Sequence, residues 1–162
     1  MTRNVSNLRR KVLRDPVNFL AFGFGTGLAP YAPGTFGSLP GLLLGWLTLG
    51  LGLYVQLAVL AFLIVAGIYL CGESARRIGV HDHGGIVWDE IAGMYMTLLL
   101  APPSIAGFAI AFALFRLFDI VKPWPIRDLD HRLRGGLGIM LDDLAAALYA
   151  LLCLGFLGWL MQ

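Results

Sequence analysis

Apolar positions run almost unbroken from Leu39 to Cys71, from Ile91 to Phe115 and from Leu144 to Met161. The charged positions fall outside these runs, in windows at 1–15, 73–90 and 116–143. A straight helix over the first run would be about 50 Å long, against a bilayer hydrocarbon core of about 30 Å. Gly50-Leu51-Gly52 offers a break, which predicts two helices, near 38–52 and 54–76. Pro102-Pro103 splits the second run, and Ser104 is placed to cap its second half, so two short helices are expected there. The last run predicts one helix.

The expected architecture is therefore all-α: a polytopic membrane bundle of about five short helices. Composition agrees. The 162 residues allow one domain, 58% of them are hydrophobic and only 14% charged, and mean hydropathy is +0.77. Soluble domains carry roughly 25% charged residues. A soluble enzyme, a disordered chain and a nucleic-acid binder are thereby disfavoured, and a net charge of +2 gives no reason to expect a polyanion partner. Cys71 and Cys153 sit in apolar runs and read as small core hydrophobes. The 21 glycines suggest close helix packing or backbone-built sites.

The turns near 50–53 and 101–104 carry no charge, so five helices put all three charged windows on one side of a membrane. The first window is basic, which makes that side cytoplasmic by the positive-inside rule. Residues 1–18 read as a basic surface segment against anionic lipid, and 19–162 as the membrane-embedded domain. Because the central helices are short, Asp89, Glu90 and Asp119 are expected at or just inside the interface. Ionisable groups at that depth mark function by default.

Asp89-Glu90 and Asp142-Asp143 each open an apolar helix in this reading. Either pair alone is explained equally by complementarity to a helix dipole. Two pairs on one side are different, because clustered carboxylates repel unless a cation sits among them. Oxygen ligands without a His or Cys majority suggest Mg²⁺. In 118–130, Lys122 and Arg127 are cations among Asp119, Asp128 and Asp130, suited either to neutralising salt bridges or to holding a phosphate. The Gly/Pro-rich segment 23–38 ends in Gly34, Thr35, Gly37 and Ser38, whose amides and hydroxyls offer an anion cradle or merely a loop. His81-Asp82-His83 reads as a polar loop in which Asp82 is the better candidate ligand.

Four segments, Ala32–Ser38, Val80–Glu90, Phe115–Arg127 and Gly135–Asp143, resemble the phosphatidylglycerophosphatase A family, in the family's order and across nearly the whole chain. The resemblance implies a multi-pass, bacterial inner-membrane hydrolase dependent on Mg²⁺. Such an enzyme converts phosphatidylglycerophosphate to phosphatidylglycerol and phosphate, supplying phosphatidylglycerol and cardiolipin. On this reading Asp82, Asp89, Glu90, Asp142 and Asp143 ligate the metal or orient its waters, and Lys122 and Arg127 hold the phosphate. Gly34, Thr35, Gly37 and Ser38 close the cradle, and Asp119 or Asp130 is the base toward water. A small ion carrier or channel with clustered carboxylates is the alternative class, although it would not need Lys122 and Arg127 beside them.

Overall fold

The computed structural model describes residues 2–80, 83–124, 126 and 135–160, and the regular structure among them is entirely helical. Two helices, α1 (Thr2–Arg14) and α2 (Pro16–Ala21), lead through a 3₁₀ turn (Gly23–Leu28) into the five helices of the bundle. These are α3 (Pro33–Thr48), α4 (Leu53–Ile78), α5 (Trp88–Leu98), α6 (Ile105–Val121) and α7 (Gly135–Leu160).

The predicted breaks are present. The chain leaves α3 at Thr48 and enters α4 at Leu53, and Pro102-Pro103 separates α5 from α6. Ser104 caps α6, its hydroxyl accepting the Gly107 N–H at 3.0 Å. Two helices begin earlier than expected. α3 starts at Pro33, where a proline suits the first helical position because its missing N–H has no partner there anyway. α7 starts at Gly135, so Asp142 and Asp143 lie about two turns inside it rather than at its N-terminus. That corrects the reading of this pair as helix-opening residues.

α5 is the centre of the bundle and packs against α3, α4, α6 and α7. One core forms on its α4 side around Phe22, Leu70, Trp88, Tyr95 and Met140. A second forms on its α6 side around Met94, Phe108, Phe115, Ala147 and Leu154. Glycines set the closest crossings. A Cβ at Gly41 would run into the Ile91 backbone of α5, and one at Gly136 would run into the Ile68 carbonyl of α4. Backbones approach this closely only where side chains are absent. α4 ends at Gly79, whose φ of +83° is the left-handed conformation that closes a helix.

α1 docks through Leu8 and Val12, one turn apart on its inner face, and Val12 is fully buried. α2 is capped by Asp15, which accepts the Val17 N–H at 3.0 Å, and is fastened to α4 by Ser74 Oγ donating to Asn18 Oδ1 at 2.8 Å. At the opposite end of the bundle, the turn between α3 and α4 closes on itself. Gln56 Nε2 donates to the Thr48 and Leu51 carbonyls, and Thr48 Oγ1 donates to the Tyr95 hydroxyl.

Two of the five bundle helices, α4 and α7, are long and apolar enough to cross a membrane, at 26 residues each. α3, α5 and α6 are shorter, at 16, 11 and 17 residues. Large apolar side chains face outward along the bundle, among them Phe62, Val65, Ile105, Leu152 and Phe156.

Candidate active site

The packing of α5 against α7 joins the two acidic pairs. Asp89 lies in the first turn of α5, which is held at its start by the Val87 N–H donating to the Ala21 carbonyl at 2.9 Å. Asp142 and Asp143 face it from α7. All three are buried, with exposures of 8%, 7% and 3%. One carboxylate oxygen from each lies within 4.8 Å of those of the other two.

Four further charged residues complete this centre. Lys122 ends α6 with a φ of +43°, a conformation that costs a non-glycine residue about 1 kcal/mol or more. Its Nζ lies 2.5 Å from Asp142 Oδ2, so the strained residue carries a cation onto the cluster. Asp119, one turn earlier on α6, is paired with Arg116 and is an electrostatic neighbour of Asp143. Arg116 also stands 4.0 Å from Glu90 Oε1. Glu90 thus stands beside the three aspartates and toward α6.

Gly34, at the start of α3, abuts this arrangement. A Cβ there would collide with Glu90 Oε1 and crowd the Arg116 guanidinium. The other residues of the expected cradle are placed differently. Gly37 packs on Val87, the Ser38 hydroxyl donates to the Gly34 carbonyl at 2.8 Å, and the Thr35 N–H donates to the Ala32 carbonyl. Asp82, Arg127 and Asp130 lie outside the described residues. His83 serves its own loop, with Nδ1 accepting the Gly85 N–H at 3.0 Å.

Arg116 is the site residue that the sequence reading left unassigned. Its signal is a lone guanidinium on an otherwise apolar helix, three residues before Asp119. Among the described residues the centre sets five carboxylates (Asp89, Glu90, Asp119, Asp142 and Asp143) against two cations, Arg116 and Lys122. Glu90 Oε2 and Asp143 Oδ2 are buried and make no hydrogen bond among the described residues. Oxygen donors of this kind, in negative excess and sheltered from water, match the demands of a hard divalent cation. The cations beside them suit an anionic ligand with several oxygens.

Such a centre in an apolar helical shell is suited to work on a phosphate ester, and the comparisons with known proteins make the chain a phosphatase, a phosphoric monoester hydrolase. The family model for phosphatidylglycerophosphatase A matches residues 19–158, and the chain belongs to that family. It is 47% identical to a Haemophilus influenzae protein named phosphatidylglycerophosphatase A, over 94% of each chain. It is 42% identical to the Escherichia coli protein of the same name, over 96% of this chain and 91% of the other. A Bacteroides thetaiotaomicron protein with the provisional name phosphatidylinositol-3-phosphatase is 33% identical, over 86% of this chain and 91% of its own. No solved structure gives a significant match.

Proposed function

We propose that this protein hydrolyses phosphatidylglycerophosphate to phosphatidylglycerol and phosphate. The reaction depends on Mg²⁺ and takes place at the cytoplasmic face of a bacterial inner membrane. The observation that carries the chemistry is the buried triad Asp89, Asp142 and Asp143, with Lys122 on one edge and Arg116 close by. The relatives' names supply the substrate. They also favour a phosphatase over the ion-carrier alternative.

Asp89, Asp142 and Asp143 would hold Mg²⁺, with Glu90 beside them and Asp82 as a further candidate. Bound there, the ion would supply positive charge for the phosphoryl oxygens. Lys122 fixes the Asp142 carboxylate and adds a point charge at the rim. Arg116 offers a planar fork to phosphoryl oxygens, and Arg127 is assigned the same task. Asp119, beside Asp143 and steadied by Arg116, is placed to take the proton of the attacking water, and Asp130 is the other candidate base. Gly34 leaves open the space next to Glu90 and Arg116. Thr35, Gly37 and Ser38 act mainly by shaping the start of α3.

The membrane placement draws on two further features. Ion pairs tie the three charged windows together at one end of the bundle, through Asp15–Arg77 and Glu90–Arg116. Exposed aromatic residues mark both ends, with Tyr31 and Trp124 at the charged end and Trp46, Tyr54 and Trp159 at the other. Aromatic side chains favour the two membrane interfaces. α5 is only about 17 Å long, so in a five-span arrangement its carboxylates lie below the membrane surface.

Phosphate release from phosphatidylglycerophosphate in mixed micelles, with Mg²⁺ or with EDTA, tests the proposal. Phosphatidylinositol 3-phosphate should be assayed in parallel. The expected result is Mg²⁺-dependent release, faster from the glycerol lipid. Release undiminished by EDTA would refute the metal assignment, and a preference for the inositol lipid would refute the substrate assignment.

A further inference from the structure

A second charged cavity lies between α1 and the end of α4, and it shares no residue with the acidic centre. Its volume is about 670 Å³, and Arg10, Lys11, Arg14 and Arg77 line it together with Asp15 and Asn18. Asp15 is its single acid, and that carboxylate is already engaged. Arg77 Nη1 donates to both of its oxygens, at 2.7 and 2.8 Å, and the Val17 N–H and Asn18 Nδ2 donate as well. Hydrogen bonding from Arg77 holds the Asp15 carboxyl below its ordinary range.

The wall of this cavity is rigid. Asn18 is buried at 2% exposure and bound by Ser74, and Arg77 is further clamped by Glu73 at 2.7 Å. Arg10, Lys11 and Arg14 face the opening, and among the described residues none of them has an acidic partner. Leu8 and Ile78 give the cavity an apolar flank. Three cations without an acidic partner among the described residues, beside a fixed wall and apolar surface at the charged end of the bundle, fit a phosphate anion joined to a hydrocarbon body.

We propose that this cavity is a binding site for the phosphate of an anionic phospholipid headgroup, separate from the acidic centre. The cations on α1 hold the phosphate oxygens, and Arg77, positioned by Asp15, closes the inner side. The ligand is recognised by its phosphate charge, which a free phosphate ion shares, and the apolar flank favours the lipid.

The test uses full-length protein in neutral detergent, probed with phosphatidylserine, phosphatidylcholine or inorganic phosphate. Phosphatidylserine carries the headgroup charge but is neither substrate nor product of the proposed reaction. Wild type is compared with Arg10→Gln/Lys11→Gln/Arg14→Gln and with each single substitution, since glutamine preserves helix propensity. Phosphatidylserine should raise the melting temperature of wild type saturably, and phosphatidylcholine should not. The triple variant should need at least tenfold more phosphatidylserine, with unchanged turnover in neutral micelles, and the single variants should fall between. Inorganic phosphate giving the same difference between wild type and variant would identify free phosphate as a sufficient ligand of this cavity. Equal protection of wild type and all variants, or protection by phosphatidylcholine as strong as by phosphatidylserine, would overturn the proposal.

Discussion

Asp143→Asn separates a metal-holding carboxylate from one that merely belongs to the core. Asp143 is buried among Asp89, Asp119 and Asp142. Two unit charges at the 4.8 Å limit of the triad repel by about 3 kcal/mol at an effective dielectric of about 20. Without Mg²⁺, neutralising one of them should therefore stabilise the fold, by about 1–2 kcal/mol once the nearby Lys122 and Arg116 are counted. With Mg²⁺ at 100 times its dissociation constant, wild type gains about 2.7 kcal/mol, whereas a variant short of one ligand gains little. The order of melting temperatures should thus reverse: the variant melts higher in EDTA, and wild type melts higher in Mg²⁺. Turnover by the variant should fall on the order of 10³-fold, the effect of losing several kcal/mol of transition-state stabilisation. The assays are thermal unfolding in detergent with and without Mg²⁺, and phosphate release. A variant less stable than wild type under both conditions, and retaining more than a tenth of its activity, would refute the reasoning.

Gly34→Ala should keep the fold and lose most activity, because the atoms nearest the new methyl are the side-chain ends of Glu90 and Arg116 rather than backbone. Gly41→Ala meets the Ile91 backbone and should lower the melting temperature instead; equal effects of the two on stability would contradict this assignment. Arg116→Lys keeps the charge but loses the fork, so it should retain more turnover than Arg116→Ala, which is expected to fall about 10²-fold or more. Equal, near-normal rates would remove Arg116 from the site. Asp15 has a lowered pKa, so its pairing with Arg77 stabilises the fold above about pH 4 and is lost as the pH falls through the lowered value. Asp15→Asn should flatten that acid limb in melting curves from pH 7 to 3, and an unchanged limb would discount the pair. For topology, Cys71→Ala and Cys153→Ala precede Ile78→Cys, Leu100→Cys or Asp128→Cys, each labelled in intact cells. Only position 100 should react from outside, and outside labelling of 78 and 128 would overturn the proposed orientation.

Much of the helix order was legible because lipid-compatible runs tolerate few interruptions. Gly50-Leu51-Gly52 and Pro102-Pro103 stand out against apolar sequence, and the Ser104 cap is a local hydrogen bond that needs no tertiary partner. The starts of α3 and α7 were harder to read for one shared reason. Gly34 and Gly37, like Gly136 and Gly138, disfavour a helix by intrinsic propensity and so suggested loops. Gly37 and Gly136 instead admit neighbouring elements, Val87 in one case and the α4 backbone in the other, and that demand arises only in the folded bundle. The charge pattern already grouped Asp89, Glu90, Asp142 and Asp143 on one side as joint candidates, but the depth on α7 at which Asp142 and Asp143 meet Asp89 depends on where α7 crosses α5. Arg116 was visible as a charge out of place, but its second neighbour, Glu90, lies on another helix.

The self-closed turn between α3 and α4 has a consequence for biogenesis. In the proposed topology this turn must be carried across the bilayer as the hairpin inserts, and the turn at Pro102-Pro103 must take the same route. A charged residue costs about 3 kcal/mol at the centre of a translocating helix, and neither turn contains one. Exposed carbonyls would be the remaining penalty, and Gln56 already satisfies those of Thr48 and Leu51 from within the hairpin. The turn thus meets part of its polar needs from within, while α3 and α4 are held together through α5, whose Tyr95 hydroxyl bonds to Thr48 and to the Gln56 carbonyl.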